Sequence, residues 1–344
     1  MSRQLPPSPN WYSSSCCDWS AGGLVAYAAK SAVRFLDPST RRIVGELLGH
    51  DDRVTTLTFV RSPPWLHVCV TGSADKTVRA WDSESSSCMS CLRDQHQLEV
   101  VAVASSAAMG PLILSVDKGG VLVAWDFASS SSRSACPMKM PATCMASTGA
   151  RTAAVGYANG VILLLDVTTI SILHKLVGHD GRDRTIRVWN ARVGTSKQEK
   201  DSLISGGSNG DVWWWNVKSK RAQKGTGKQL PSRSVFSFAL GRLAGDEEEK
   251  LKMVCVSMDR TIALWDMQDS LTCRWLLPCL GGYVYDIDRC PSDPARVVLA
   301  VGDQARGGGG RGRGSDMPRA DDPDVADQQQ GAARLSAAVA RAAG

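Results

Sequence analysis

The chain has 344 residues, 43% of them hydrophobic and 22% charged, and its 40 basic against 34 acidic residues leave a net charge of +6. That composition is globular rather than disordered or fibrous, and so mild a basic excess permits a polyanionic partner without arguing for one. The first twenty residues hold three prolines and no apolar run, so they read as neither a signal peptide nor a membrane span. The eleven cysteines are odd in number and scattered, which fits reduced thiols packed as small hydrophobes in a cytosolic or nuclear protein.

Past that leader one pattern recurs: a turn residue, a β-branched run, then an aromatic or apolar residue followed by Asp or Asn. Ala32 to Asp37 is a degenerate first copy ending in Leu36-Asp37. Full copies run Asp75 to Trp81-Asp82, Gly119 to Trp125-Asp126 and Asn159 to Leu165-Asp166, then Asp183 to Trp189-Asn190, Asn209 to Trp215-Asn216 and Asp259 to Trp265-Asp266. In all six the turn residue stands six positions ahead of the Trp or Leu. Gly49-His50 and Gly178-His179 supply the Gly-His half of the same signature. This is the WD-repeat pattern, and it predicts an all-β, WD-repeat β-propeller of about seven blades over residues 22–303.

The signature is architectural in its chemistry. A turn Asp accepts hydrogen bonds from backbone N–H groups and from the Gly-His imidazole, while a buried indole N–H needs an acceptor. His50, Asp75 and Trp81 are therefore expected to be scaffold, with Ser73 or Thr77 closing the network, and not a catalytic Ser-His-Asp set.

Spacing departs from the pattern in the middle of the chain. The turn residues at 75, 119, 159, 183, 209 and 259 are 44, 40, 24, 26 and 50 residues apart. A four-stranded blade takes about 40–45 residues. Two steps are too short, so blades five and six, around residues 180–222, are expected to lack strands. Ala295 to Asp303 reads as one more strand and turn. Residues 304–344 then change abruptly to Gly, Arg, Ala and Asp, a composition that cannot bury a core and is expected to be disordered. The tail reads as sequence foreign to the repeat, with a nonspecific Gly-Arg contact to RNA as the alternative.

No P-loop, H-E-x-x-H or G-x-S-x-G is present, so no enzyme is expected. Cys88 and Cys91 form a lone C-x-x-C with no second pair, so neither a metal nor another cofactor is expected. The basic stretch Lys218, Lys220, Arg221, Lys224 and Lys228 reads as a solvated loop. In Trp213-Trp214-Trp215, strand alternation puts Trp214 on the face opposite the other two, as a blade–blade contact before a base-stacking group.

Three flanking stretches carry more information: Leu5-Pro6-Pro7-Ser8-Pro9-Asn10-Trp11-Tyr12, Ser257-Met258-Asp259-Arg260, and Leu277 to Tyr285 with its Gly281-Gly282-Tyr283-Val284-Tyr285 end. Together with Arg42 to His50 and Ser232-Arg233-Ser234-Val235-Phe236, in the same order, they resemble the gem-associated protein 5 family. Its members are the snRNA-recognising subunits of the SMN complex. The resemblance implies a tandem pair of propellers, of which this chain holds the first. It implies binding of the single-stranded, uridine-rich Sm site of precursor snRNA, SMN complex proteins as partners, and residence in cytoplasm and nucleus, including gems. The family also recognises the 7-methylguanosine cap, an activity not expected here without the second propeller; no membrane and no other small-molecule partner is implied.

Carried over by motif, the implied RNA contacts are Trp11, Tyr12, Arg233, Arg260, Tyr283 and Tyr285. Lys30 stands where the family has Arg, keeping the charge without the planar fork, and Tyr283 stands where it has Phe. Residues 1–21 thus become an N-terminal RNA-contacting segment. Single strands are held by aromatic platforms with Arg or Lys on phosphates or base edges, which these residue types supply. Tyr285 lies two residues from Tyr283 and is expected to share its strand face, so that the pair forms one platform. The rival reading is a general WD-repeat scaffold for protein partners.

Overall fold

The computed structural model describes residues 10, 15–40, 42–105, 109–147, 151–177, 187–190, 202–216, 221–242, 251–267, 270–278, 283–289 and 297–302. Among them the strands fall into seven sheets in chain order. Blade one holds β1 (Cys17–Trp19), β2 (Val25–Ala29), β3 (Ala32–Asp37) and β4 (Arg42–Leu47). Blade two holds β5 (Val54–Phe59), β6 (Val68–Ser73), β7 (Val78–Asp82) and β8 (Ser87–Leu92). Blade three holds β9 (Val100–Ala104), β10 (Leu112–Asp117), β11 (Leu122–Asp126) and β12 (Ser131–Ala135). Blade four holds β13 (Ala142–Ser147), β14 (Thr152–Tyr157), β15 (Val161–Asp166) and β16 (Ser171–Val177).

Blade five holds β17 (Arg187–Asn190), β18 (Ser202–Gly206), β19 (Val212–Asn216) and β20 (Arg221–Lys224). Blade six holds β22 (Val235–Arg242), β23 (Leu251–Ser257), β24 (Thr261–Met267) and β25 (Leu271–Pro278), with β21 (Thr226–Gly227) added in parallel to the outer edge of β25. Blade seven shows β26 (Tyr283–Arg289) and β27 (Val297–Gly302). The first strands of the blades neighbour one another in order, and β26 returns to β1, so the ring is closed.

The expectation of incomplete blades at 180–222 is corrected by this topology. Arg187–Asn190 matches the third-strand motif but pairs with β18 as the first strand of a complete four-stranded sheet. Two apparent repeats therefore make one blade, and the missing length disappears. Blade six is also complete, and the seventh sheet comes from residues 283–302 instead. The tail 304–344 lies outside the described residues.

Strand alternation builds the core between blades rather than within them. Ile162 and Leu164 of blade four pack with Leu203 and Trp215 of blade five, with Trp213 against the same cluster. Trp214, on the opposite face, packs on the cluster of Ile204, Phe238 and Trp265 toward blade six. The Trp-Asp pairs divide their work. Trp81, Trp125, Trp215 and Trp265 are buried, and Asp82 and Asp126 close the next turn by accepting backbone N–H bonds at 2.8 Å from Glu84 and 2.9 Å from Ala128.

Neighbouring inner strands are also pinned by polar groups. Asp18 of β1 accepts the Phe59 N–H at 2.7 Å and is paired with Arg61, joining blade one to blade two. At the closure, Asp286 of β26 accepts the Cys17 N–H at 3.0 Å, and Asp288 accepts that of Trp19 at 3.1 Å. Burial pushes the Asp286 carboxyl above the usual carboxylate range, against opposing hydrogen bonds from Ser237 and Cys17. A raised folded pKa means the folded chain holds the proton more tightly, so its stabilising contribution is lost as pH rises through that value. Asp286→Asn, which keeps an acceptor for Cys17 and cannot titrate, is expected to gain stability relative to wild type as pH rises from about 4, the unfolded carboxyl value. Urea midpoints of the two proteins across that window test it; a constant difference would contradict the assignment.

Candidate nucleic-acid interface

Antiparallel topology decides which loops share a face. The turns between second and third strands and the loops leading into first strands all lie at one end of the sheets. Lys30 is in the β2–β3 turn, Arg260 in the β23–β24 turn, Arg233 in the loop entering β22, and Tyr283 opens β26. Four of the predicted residues therefore stand on one face, on blades six, seven and one, which are consecutive around the ring. Trp11 and Tyr12 lie outside the described residues.

Two of the four touch. The Arg260 guanidinium lies over the Tyr283 ring, 4.5 Å from its centroid. Arg260 is exposed and Tyr283 half-buried, so the stack presents a cationic plane outward. The turn beneath is tied to the Arg233 loop. Asp259 accepts the Ser232 N–H at 2.6 Å and the Ser232 hydroxyl at 3.1 Å, while the Ser257 hydroxyl donates to the Arg233 carbonyl at 2.9 Å. Burial would raise the Asp259 pKa, but these bonds and that of Thr261 outweigh it and hold the carboxyl below its ordinary value. The loop is further set by Gly210, whose φ is +87° and where a Cβ would sit 2.0 Å from the Pro231 carbonyl oxygen. Arg233 itself is exposed.

Tyr285 departs from expectation. It is only 4% exposed, with Phe236 at 5.4 Å between ring centroids, inside the cluster joining blades six and seven. Its ring is 6.2 Å from that of Tyr283, yet it offers no open face for a base. The cause is a bulge: Val284 pairs with Val301 and Asp286 with Ala300, leaving Tyr285 as the extra residue that breaks alternation. The same irregularity recurs at Thr55, Thr143 and Phe236 on other inner strands, so it belongs to the repeat.

Lys30 is exposed and is anchored by a residue that sequence reasoning quoted but did not single out. Asn10 is buried, donates from Nδ2 to the carbonyls of Lys30 at 2.8 Å and Val54 at 2.7 Å, and accepts the Lys30 N–H at 2.5 Å. The chain just ahead of Trp11 is thus fastened to this same face at the junction of blades one and two.

The WD network of blade two is closed to substrates. The Trp81 indole donates to the Thr71 hydroxyl at 2.8 Å, Thr71 meets His50 Nε2 at 2.7 Å, and His50 Nδ1 meets Asp75 at 2.7 Å. An indole only donates and a carboxylate only accepts, so the assignment satisfying all four groups has Thr71 donating to His50 and His50 to Asp75. Thr77 joins through Asp75 as expected, at 2.7 Å, whereas Ser73 binds the Asp52 and Arg53 carbonyls. The Asp75 carboxyl stays below its ordinary range because bonds from His50 and Thr77 outweigh its burial.

Thr71 was missed, although a signal exists in the sequence. Thr71, Ser205 and Cys255 each stand ten residues ahead of the Trp whose indole they accept. Where Leu36 and Leu165 replace Trp, the same positions are Ala26 and Val155, because an apolar side chain needs no acceptor. A second histidine was missed too: His96, preceded by Gln95 rather than Gly, bonds Ser115 at 2.8 Å beside Asp117. Burial lowers its pKa, with Asp117 pulling the other way.

The basic stretch read from sequence as a loop is in part a strand, since Arg221–Lys224 forms β20 against β19. Lys224 pairs with Asp211 at 2.8 Å beside Trp213, on the outer strand of blade five, while Lys218 and Lys220 lie outside the described residues. Among the described residues no group of three His, Cys, Asp or Glu side chains is placed to hold a metal ion, and the nine cysteines seen are free thiols.

Comparisons with known proteins agree with this architecture. The family model for the WD domain, G-beta repeat, matches residues 41–82. Gem-associated protein 5 from Mus musculus and from Homo sapiens are each 25% identical over 88% of this chain and 26% of their own length. Component of gems protein 5 from Dictyostelium discoideum is 27% identical over 54% of this chain and 18% of its own length. The chain therefore spans about a quarter or less of the relatives it matches. A chain in the crystal structure of the Mitotic Checkpoint Complex superposes with a TM-score of 0.69 at 15% identity, covering 86% of this chain and 89% of that one, a likeness of fold alone. The chain is a WD-repeat β-propeller, similar over most of its length to gem-associated protein 5.

Proposed function

We propose that the chain binds single-stranded, uridine-rich RNA on the face carrying Lys30, Arg233, Arg260 and Tyr283, as a reader of the Sm site of precursor snRNA within the SMN complex. The observation that carries this reading is the Arg260–Tyr283 stack at 4.5 Å. A guanidinium held over an aromatic ring can offer a platform to an unpaired base and a contact to its phosphate at once. Exposed Arg233 and Lys30 extend the positive charge along the same face, and the RNA class is the one implied by the resemblance of the flanking motifs to the gem-associated protein 5 family. Action in cytoplasm and nucleus, with SMN complex proteins as partners, belongs to the same proposal. The role is binding rather than catalysis: two His-Asp-hydroxyl constellations among the described residues, His50 with Asp75 and Thr71 and His96 with Asp117 and Ser115, are both sealed in blades.

Titration of a labelled uridine-rich oligonucleotide into the full chain tests the reading. The single strand is expected to bind better than a duplex of equal length, because stacking needs free base faces. Arg260→Ala is expected to weaken binding by about 1–3 kcal/mol if a base rests on the guanidinium. Equal binding of strand and duplex, with Arg260→Ala indistinguishable from wild type, would leave only the scaffold reading.

A further inference from the structure

The turns between second and third strands can be compared blade by blade within this one chain. In blades three, four and five the tip of the turn is Gly120, Gly160 or Gly210, each with φ near +87°. Each donates its N–H back across the turn, to Asp117, Tyr157 and Gly207 respectively. Glycine is the residue that this left-handed conformation favours. In blades two and six the equivalent tip is Lys76 (φ +69°) or Arg260 (φ +66°), making the same turn bonds to Ser73 and Ser257. Blade one, with a shorter hairpin, puts Lys30 at φ +56°.

Long cations therefore occupy a conformation that disfavours them, at a position where three other blades carry glycine. They do so only on blades that are contiguous across the ring closure: six, one and two, with blade seven between six and one. The equivalent turn of blade seven falls outside the described residues. Lys30, Lys76 and Arg260 are all exposed, and none of them has an ion pair among the described residues. Lys118, near the turn tip of blade three, is by contrast held by Glu99 at 2.7 Å. Strain retained in this way points to a ligand that uses the side chain, and a row of unpaired cations at regular blade spacing suits a linear polyanion. Asp51 and Asp52, exposed on the loop entering blade two, confine anion contacts there to the turn tip.

We infer that the RNA track does not end at Lys30 but continues onto blade two, where Lys76 holds a backbone phosphate of the bound single strand. This inference rests on the RNA-binding reading above and adds a residue outside the motifs that suggested it. Lys76 is a point charge without a stacking plane, so its contact is sequence-independent.

Lys76→Gly is the informative variant, because glycine suits the turn and the fold should not suffer. Its unfolding midpoint is expected to equal or exceed that of wild type. Its affinity for a fluorescein-labelled oligouridylate is expected to fall about two- to fivefold, the worth of one exposed ionic contact. The slope of log K against log salt should shrink by about 0.7, the single-strand value for one phosphate. Lys175→Gln on the outer strand of blade four removes the same charge off the track and should leave both quantities unchanged. If wild type binds the oligouridylate and Lys76→Gly binds it equally, the extended track is wrong while the Arg260–Tyr283 reading stands. If Lys175→Gln costs as much as Lys76→Gly, net charge and not a contact at Lys76 is responsible, which also overturns the proposal. If wild type binds no oligouridylate, both readings fall. If poly-glutamate competes as well as RNA and loses the same affinity in Lys76→Gly, the face is a site for acidic proteins and the phosphate assignment is overturned.

Discussion

Tyr285→Ala is expected to destabilise the propeller by about 3–5 kcal/mol, the cost of truncating a buried aromatic to alanine. Its ring fills the junction of blades six and seven against Phe236, beside the Asp286–Cys17 bond that closes the ring. The loss therefore falls where two sheets meet. Tyr283→Ala should divide its effects the other way. The ring is half-buried and carries Arg260, so its removal is expected to cost a smaller part of the stability. In oligouridylate affinity it should cost about 1–3 kcal/mol, the worth of one stacking platform. Urea midpoints and RNA titrations on both variants separate the two roles. A Tyr285→Ala protein as stable as wild type but unable to bind RNA would reverse the assignment made here and restore Tyr285 as a contact.

Thr71→Val is expected to cost about 1–3 kcal/mol for each of the two buried groups it strands, the His50 Nε2 and the Trp81 indole N–H. Volume is almost conserved, so the effect isolates the hydrogen bonds rather than a cavity. Thr71 is fully buried and His50 nearly so, leaving little room for water to substitute. Thr71→Ser restores the hydroxyl and should recover most of the stability. Trp81→Leu combined with Thr71→Val recreates the apolar combination that blade four already uses in Val155 and Leu165, which share one hydrophobic cluster, so the two changes should be less costly together than their sum. A Thr71→Val protein unfolding at the wild-type urea concentration would show that the network contributes nothing net. Because this network sits below the Lys76 turn, Thr71→Val should also loosen the turn tip, whereas Lys76→Gly leaves the network whole.

Much of the molecule was written in its local pattern. The period between turn residue and Trp, the β-branched runs and the Gly-His pair at Gly49-His50 are properties of single hairpins, and single hairpins form from neighbouring residues. That is why the propeller class, the scaffold role of His50, Asp75 and Trp81, and the opposed faces of Trp213 and Trp214 are all legible in the sequence. The motif residues Lys30, Arg233, Arg260 and Tyr283 were legible as candidates through their resemblance, and the antiparallel topology then set them on one face.

Three things were decided only by the tertiary structure. Arg187–Asn190 carries a third-strand motif but serves as a first strand, because a strand joins the sheet whose edge is open in space, and ring closure fixes which edge that is. Tyr285 is core rather than platform, because a bulge repeated on the inner strands shifts the face of a side chain without leaving a mark in alternation. The stack of Arg260 on Tyr283 joins turns of two different blades, and no local spacing encodes a distance across that gap. Sequence periodicity specifies each hairpin; the partner of each hairpin is specified by the geometry of the closed ring.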